Sequence, residues 1–339
     1  MRLALITYDQ PKETSFYVKG SQAFKMSDDT PYAAPGGVKN KIFRNMWNIP
    51  FANDGYYLKY AEGLPDLKLD VIIAIAEYGM HHVYRKPLIK RVKRRIKNRK
   101  YNEAKFITEL RKKYQNALII GYCSELHPYL YYDQRFIDFL NLCDRAAMPL
   151  QQEHTAVLQP HVNKKIHSLF YPYKIEDIRQ NFLDKSQKER SIFITASKFV
   201  EHIKSKPVER GYQKSLEFGR YLANKYDYKL IGRENHMSWI EWLQQVNQAG
   251  VCINLDPMPK IGQAVIDSAI LETPHLGSNL DAAKFLFPAT ATNDLDTLEQ
   301  NFCKIMDNPQ QLTNTALERL QERYSFDAFR AKLAMIIAD

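Results

Sequence analysis

The chain has 339 residues, 45% of them apolar and 12% aromatic, and a net charge of +10, values typical of a folded globular protein with two cores of ordinary size. They exclude a disordered chain and a fibrous repeat. The longest aliphatic run, Val71 to Ala76, is far shorter than the roughly 20 residues of a membrane span, and the first residues turn polar too early for a signal peptide. We therefore expect a cytoplasmic protein.

Short apolar runs alternate with amphipathic stretches along the whole chain. In the first half these patterns predict strands at 2–8, 69–77, 116–123 and 142–148, and helices at 41–47 and from about 151. In the second half they predict strands at 191–196, 228–232 and 250–255, and helices at 211–226, 237–248, 262–271, 295–306, 310–324 and 326–337. Strands that alternate with helices in both halves predict an α/β protein of two doubly wound, Rossmann-like domains facing a central cleft.

The positive charge is concentrated in one segment. Residues 85–113 hold 14 Lys and Arg against two Glu, so this segment carries +12 and the rest of the chain about −2. An apolar stripe at helical spacing, from Leu88 to Ile96, leaves the other faces to cations that include Arg91, Arg94 and Arg95. Such a helix has three interpretations: its charged surface is simply solvent-exposed, it anchors the protein at a membrane surface, or it binds the phosphates of DNA. The stripe contains no Trp or Phe to enter a headgroup layer, which disfavours the membrane.

Metal-binding patterns are missing from the sequence. The four cysteines form no C-x-x-C pair and no zinc-type spacing with histidine, so we expect neither disulfides nor a structural metal. Asp294 and Asp296 mimic a D-x-D metal motif, but they precede a predicted helix. A helix N-cap and a first-turn acid account for both residues, and we predict no metal-ligating residues.

Three loops of the second half carry chemistry suited to an anionic ligand. In open α/β sheets ligands bind beyond the carboxyl ends of the strands, which is where these loops lie. At a helix start, backbone N–H groups and a nearby cation would hold a phosphate. The residues concerned are Lys198, Arg210, Gly211, Arg233, Lys260, Gly262, Gln263 and Asp267.

Residues 260–279, KIGQAVIDSAILETPHLGSN, resemble the nucleotide-sugar motif of GT-B glycosyltransferases. In that motif a glycine loop enters a helix whose acidic residue binds the donor ribose, and a proline leads into the next strand. Gly262, Asp267 and Pro274 fall on these positions. Residues 191–198 and 210–211 resemble the strand and basic-Gly element that grips the donor diphosphate. The resemblance implies a nucleotide-sugar donor, UDP-sugar above all, with Mg²⁺ optional.

The same resemblance implies a domain organisation. Residues 324–326 resemble the start of a terminal helix that crosses back to the first domain. We therefore predict an acceptor-binding domain at 1–173, a donor-binding domain at 174–325 and a returning helix at 326–339.

Two positions depart from the family pattern. Many retaining members place a glutamate where this chain has Pro259, and Glu272 replaces a usual glycine. The first departure removes a carboxylate that contacts the sugar, and it leaves open whether the configuration is retained or inverted. A generic α/β domain, in which Asp267 is a solvated helix residue, is the alternative interpretation of each signal taken alone.

The first half offers candidates for the acceptor side. Glycosyl transfer with inversion needs a base near the acceptor hydroxyl. The loop 124–128, Ser-Glu-Leu-His-Pro, resembles a loop of phage DNA glucosyltransferases, which makes Glu125 the first candidate base and His127 the second; capping and packing roles are the alternative. His81 and His82 end another predicted strand and are candidate acceptor contacts, or else uncommitted surface histidines.

Together these observations predict a glycosyltransferase that moves a sugar from a nucleotide donor to an acceptor hydroxyl. A hydroxylated base in DNA is one acceptor, because residues 85–113 would track its phosphates. A glycan or lipid-linked acceptor at a membrane surface is a second. A GT-B-shaped DNA-binding protein without catalysis is a third interpretation, which Pro259 favours. We predict no stable protein partner.

Overall fold

A computed structural model describes residues 2–7, 54–59, 63–76, 103–123, 133–149, 155–170, 172–173, 175–196, 200–203, 206–209, 211–232, 239–257 and 261–339. The chain divides into two compact units. The first contains residues 1–172 and 329–339, and the second contains residues 173–328. The division predicted from the sequence had its boundary after residue 173 and its returning helix from residue 326.

The first unit is built on six parallel strands: β1 (Arg2–Thr7), β2 (Asp54–Lys59), β3 (Val71–Ala76), β4 (Leu118–Cys123), β5 (Arg145–Met148) and β6 (Ile166–Ser168). Their order across the sheet is β2-β1-β3-β4-β5-β6. Residues 71–75 of β3 and 119–123 of β4 are all buried, as expected for the centre of a parallel sheet covered on both faces. The strands predicted at 2–8, 69–77, 116–123 and 142–148 are therefore confirmed.

Two helices of the first unit pack against each other. They are α1 (Glu103–Lys113) and α2 (Gln134–Leu142), and each buries an apolar stripe of three or more residues. On α1 the stripe is Phe106, Ile107 and Leu110. Asp133 caps α2 by accepting a hydrogen bond from the backbone N–H of Arg135 at 3.0 Å. No element was predicted from the sequence for the region of α2.

The second unit contains a parallel sheet of four strands: β7 (Ser191–Ile194), β10 (Lys229–Ile231), β11 (Val251–Ile253) and β12 (His275–Leu276). Their order is β10-β7-β11-β12. The helices described in this unit are α3 (Ile175–Phe182), α4 (Tyr212–Tyr226), α5 (Trp239–Gln248), α6 (Gln263–Ile270), α7 (Asp281–Leu286), α8 (Leu295–Asp307) and α9 (Pro309–Tyr324). The last helix, α10 (Phe326–Ala338), belongs to the first unit from Phe329 onward. The α/β alternation predicted for this half is confirmed.

An antiparallel hairpin interrupts that alternation between β7 and α4. Its strands are β8 (Val200–Ile203) and β9 (Lys206–Glu209), paired so that Val200 lies opposite Glu209. Connections from a strand to the following helix usually need about 2 to 6 residues, and this one takes the chain from Ile194 to Tyr212. The hairpin was not predicted from the sequence, because its strands are too short and too polar to give a period-two signal.

None of the helices in the described ranges combines the length and the low charge needed to cross a bilayer.

Candidate functional site

The strand order of the second unit fixes where a ligand would bind. The chain leaves β7 and reaches β10 on one side of it, and then returns to β11 on the other side. The reversal point between β7 and β11 is where open α/β sheets form a crevice at their carboxyl edge. The segments after these two strands lead into helices α4 and α6, and they carry most of the predicted donor residues.

Several predicted site residues lie outside the described part of the chain. On the donor side these are Lys198, Arg210, Arg233 and Lys260. On the acceptor side they are Glu125, His127, His81, His82, Arg91, Arg94 and Arg95. The described donor candidates are Gly211, Gly262, Gln263 and Asp267.

Gly211 is the N-cap of α4 and packs on the end of β11. Its φ is +70°, and a Cβ there would lie 2.3 Å from the Leu255 carbonyl oxygen. Ser215 joins the same two elements, since its hydroxyl donates to the Gly211 carbonyl at 2.6 Å and accepts from the Leu255 N–H at 2.8 Å. The start of α4 is thus fixed against the chain that leaves β11.

Gly262 is the N-cap of α6, with a φ of +83°. A Cβ on Gly262 would lie 2.9 Å from Cβ of Leu280, and the Ala282 N–H donates to the Ile261 carbonyl at 2.9 Å. Glycine caps contribute no side chain, so the first N–H groups of α4 and α6 receive no side-chain cap. Helix starts of this kind at the carboxyl edge of a sheet favour an anionic ligand.

Asp267 lies in the middle of α6 and is fully buried. Its Oδ2 accepts a hydrogen bond from Nε1 of Trp242 at 3.0 Å. The indole ring of Trp242 in turn packs on Phe193 of β7, with 5.2 Å between ring centroids. The alternative that Asp267 is a solvated helix residue is therefore wrong. No pattern in the sequence indicated the contact with Trp242, because that residue lies 25 positions away on another helix.

Glu272 occupies a position for which the family pattern has glycine, and its backbone shows why glycine is usual there. Its φ is +50°, in the left-handed region. Its carboxylate contacts Arg179 at 2.7 Å and Lys185 at 2.5 Å. Burial raises the pKa of Glu272, but hydrogen bonds from Lys185, Arg179 and Gln310 outweigh it and hold the pKa below its usual value. These ion pairs offset the backbone strain of a side chain in this conformation.

Two further titratable groups do not fit the role of a ligand or a base. Asp294 caps α8 by accepting from the Thr297 N–H at 3.0 Å, which confirms the N-cap interpretation of the D-x-D sequence. Burial lowers the pKa of His275 to about 3, so this histidine of β12 is neutral near pH 7 and too weak a base for catalysis. Within the described ranges no three His, Cys, Asp or Glu residues are grouped as a metal site would require.

Only the end of the basic segment 85–113 is described, as helix α1. Three of its cations pair with acidic residues of the first unit: Lys105 with Glu109 at 3.6 Å, Arg111 with Asp144 at 2.6 Å and Lys113 with Asp66 at 3.2 Å. Arg111 also donates to the Leu142 carbonyl at 2.8 Å. Arg111 and Lys113 therefore link α1 to other parts of the first unit, whereas the pair of Lys105 with Glu109 lies within the helix.

No protein-family model matches the chain, and no curated protein is significantly similar to it in sequence. Solved structures are similar in fold. The N-terminal domain of trehalose-6-phosphate phosphatase from Candida albicans gives a TM-score of 0.63 at 8% identity, over 99% of this chain and 96% of that one. A trehalose-6-phosphate synthase gives 0.57 at 8% identity, over 89% and 76%.

A third similar structure is an α-glucosyltransferase solved with UDP-glucose and DNA containing an abasic site. It gives a TM-score of 0.51 at 10% identity, over 80% of each chain. At such low identities these similarities establish the fold. The chain has the α/β GT-B fold of glycosyltransferases such as trehalose-6-phosphate synthase, as predicted from the sequence.

Proposed function

We propose that this protein is a glycosyltransferase that uses a nucleotide-sugar donor bound by the second unit. The observation that carries the proposal is the pair of glycine-capped helices, α4 and α6, that follow the two strands flanking the reversal point. Gly211 and Ser215 fix the start of α4 to the end of β11, so the two helix starts share one edge of the sheet. A diphosphate is the ligand that such an edge favours.

The proposed donor roles follow from the resemblance of these residues to the nucleotide-sugar motif and from their order along the chain. Lys198 and Arg210 would neutralise the diphosphate, and the Gly262 loop would approach it through its backbone. Asp267 would accept a hydrogen bond from the ribose, while Arg233, Lys260 and Gln263 complete the donor contacts. A UDP-sugar is the proposed donor, since the similar α-glucosyltransferase structure was solved with UDP-glucose. Mg²⁺ is optional, because cations of the protein can balance the leaving group.

The reaction moves the sugar from phosphate to a hydroxyl. The bond between the anomeric carbon and the diphosphate oxygen breaks, and its electron pair leaves with the nucleoside diphosphate. The acceptor oxygen forms the new bond to the anomeric carbon, and its proton passes to Glu125 or, as second candidate, to His127. Lys198 and Arg210 stabilise the negative charge that develops on the leaving oxygen.

A thermal-shift titration with UDP, GDP, ADP, CMP and their sugar conjugates tests the donor site. At about 100 times its Kd a bound nucleotide raises the free energy of unfolding by about 3 kcal/mol. We expect UDP to give such a shift. We expect Asp267→Asn to raise the Kd for UDP at least tenfold, because the amide lacks the negative charge of the carboxylate. The amide oxygen can still accept the hydrogen bond from Trp242. No shift with any nucleotide would overturn the glycosyltransferase assignment.

A hydroxylated base in DNA is our proposed acceptor. One similar structure was solved with DNA, and the sequence of residues 85–102 contains ten Lys and Arg and no acidic residue, a charge that favours binding to backbone phosphates. Because three of the four described cations of α1 pair with carboxylates, the proposal rests on the preceding residues, with His81 and His82 as further acceptor contacts. A glycan or lipid-linked acceptor and a DNA-binding protein without catalysis are the competing interpretations.

Reversing the charge of Lys93, Arg94 and Arg95 to Glu tests the DNA acceptor. In a plot of the logarithm of the DNA-binding constant against the logarithm of salt concentration, the slope should become less steep by up to about 3. Each lost phosphate contact removes about 0.9 from that slope. The same reversal at exposed Lys229, Lys284 and Lys304 of the second unit is the matched control. Equal DNA binding by both variants would reject DNA as the acceptor, and transfer to a glycan or lipid-linked acceptor would then be measured.

A further inference from the structure

His275 is a buried histidine whose ring makes no hydrogen bond. It lies on β12, the edge strand of the second sheet, next to β11. Only 1% of the residue is exposed, and within the described ranges neither ring nitrogen has a hydrogen-bond partner. Burying a polar group without a partner is costly, and burying its charged form costs far more. The packing around His275 therefore suits only the neutral imidazole.

His275 also holds the end of helix α7 in place. Its ring packs against Phe287, the residue after α7, with 6.1 Å between ring centroids, and its carbonyl accepts from the Thr290 hydroxyl at 2.6 Å. The start of α7 lies against the Gly262 loop, since a Cβ on Gly262 would lie 2.9 Å from Cβ of Leu280. One short helix thus connects the surroundings of His275 to the N-cap of α6.

Within the described ranges no charged neighbour offsets the burial of His275. The elements packed against β12 are β11, α6 and α8, and the residue after α7 contacts the ring. Their titratable side chains are Cys252 on β11, Asp267 on α6, Asp281 and Lys284 on α7, and Asp296, Glu299, Cys303, Lys304 and Asp307 on α8. Burial alone lowers the pKa of His275 to about 3, and it raises the pKa of the Cys252 thiol to about 12.

We propose that His275 makes the β12–α7 side of the candidate donor site acid-sensitive, so that protonation of its imidazole opens this side and loosens the Gly262 loop. The opened state exposes the ring to water and takes up a proton at the ordinary pKa of 6.5, whereas the closed state stays neutral down to about pH 3. The closed state is therefore fully stabilised above pH 6.5 and loses stability as the pH falls below that value. The equilibrium constant for opening should rise about 25-fold between pH 7 and pH 5.

Hydrogen exchange of backbone amides measures this opening on the full chain without a nucleotide. The probes are the N–H groups of Gly277 and Phe287, on either side of α7, and that of Val265, which donates to the Gly262 carbonyl at 3.0 Å. After correction for the intrinsic pH dependence of exchange, we expect all three opening constants to be about 25-fold larger at pH 5 than at pH 7. Equal constants at the two pH values would overturn the proposal. A rise of the same size in every amide of the second unit would also overturn it, because the whole unit would then be unfolding.

His275→Leu removes the titrating ring at a similar side-chain volume. We expect its opening constants to change by less than about twofold between pH 7 and pH 5. The variant should be at least as stable as the wild-type protein at pH 7, because the two unpaired nitrogens are gone. His275→Phe, which keeps a ring beside Phe287, replaces it if the leucine variant does not fold.

His161→Leu is the matched control, since His161 is an exposed histidine of the first unit. Its removal should leave the response of the three probes unchanged. A response of wild-type size in His275→Leu would assign the acid sensitivity to another group and reject the role of His275.

Two measurements complete the test. In the unsubstituted protein the imidazole resonances of His275, assigned by their loss in His275→Phe, should not titrate between pH 7 and pH 5, and titration near pH 6.5 would contradict the burial of the ring. The Kd for UDP should rise more between pH 7 and pH 5 in the wild-type protein than in His275→Leu, an expectation that rests on the proposed function. If UDP does not bind at either pH, the proposed function fails, and hydrogen exchange alone decides the acid sensitivity.

Discussion

Replacing Gly211 with alanine is expected to lower the free energy of unfolding by about 3 kcal/mol or more. A side chain at a φ of +70° costs about 1 to 2 kcal/mol, and overpacking typically adds 1 to 3 kcal/mol. The overpacking is severe here because the new Cβ would lie 2.3 Å from the Leu255 carbonyl oxygen and 2.9 Å from the Asp256 nitrogen. These are backbone atoms, which cannot rotate away as a side chain would. Denaturant unfolding measures the loss.

Gly232→Ala is the matched control for this substitution. Gly232 lacks a positive φ, and a Cβ there would meet only the Tyr212 hydroxyl at 3.5 Å and Leu216 at 3.7 Å. We expect its free energy of unfolding to change by less than about 0.5 kcal/mol. If Gly211→Ala were as stable as Gly232→Ala, the close packing of α4 on the end of β11 would be incorrect. The shared edge on which the donor site depends would then be incorrect as well.

Replacing Arg323 with methionine is expected to lower the free energy of unfolding by about 3 to 5 kcal/mol, because it removes one partner of a buried ion pair. Nη1 of Arg323 lies 3.1 Å from Oδ2 of Asp281, which is fully buried, and its guanidinium carbon lies 3.2 Å above the centre of the Phe285 ring. Methionine has a side chain long enough to pack on the Phe285 ring, but it removes the positive charge that interacts with that ring and with the Asp281 carboxylate.

Arg323→Met should also weaken nucleotide binding, because Asp281 begins the helix α7, which packs against the Gly262 loop. The residue before it, Leu280, packs on Gly262, and the residue after it, Ala282, donates to the Ile261 carbonyl. Arg323→Met should therefore raise the Kd for UDP as well as lower stability. Isothermal titration at a temperature where the variant is folded measures that change.

Two further variants test whether the buried charge of Asp281 causes the loss of stability in Arg323→Met. Adding Asp281→Asn to Arg323→Met should recover part of the lost stability, because the buried charge is then absent. Lys105→Met breaks an exposed pair with Glu109, whose side chains are 67% and 41% exposed, and should cost less than about 1 kcal/mol. A double variant less stable than Arg323→Met alone would show that the charge of Asp281 is not the source of the loss.

The glycine and glutamate positions illustrate what a local pattern can and cannot predict. Gly211 and Gly262 were recognisable in the sequence as helix starts, because a glycine directly before an amphipathic run is typical of a strand-to-helix turn. Glu272 was likewise recognisable as a departure from a usual glycine. The ion pair with Arg179 that offsets the backbone strain of Glu272 was not visible in the sequence, since Arg179 lies 93 residues away. Only the packing of α3 near the end of α6 brings its guanidinium to the carboxylate.

The sequence determined β1, β3, β4, β5, β7, β10, β11 and most helices of the second half, but not β2, β6 or the hairpin strands β8 and β9. The six consecutive apolar residues of β3, and the run in β4 that only Gly121 interrupts, are stable only when buried on both faces. The order of motifs along the second half likewise predicted the GT-B fold. The tertiary structure decided which distant groups meet: Trp242 with Asp267, Gly211 with the end of β11, and Arg323 with Asp281. A hydrophobic period reports only which face of an element is buried, whereas a hydrogen bond or an ion pair depends on the atoms that the fold brings to that face.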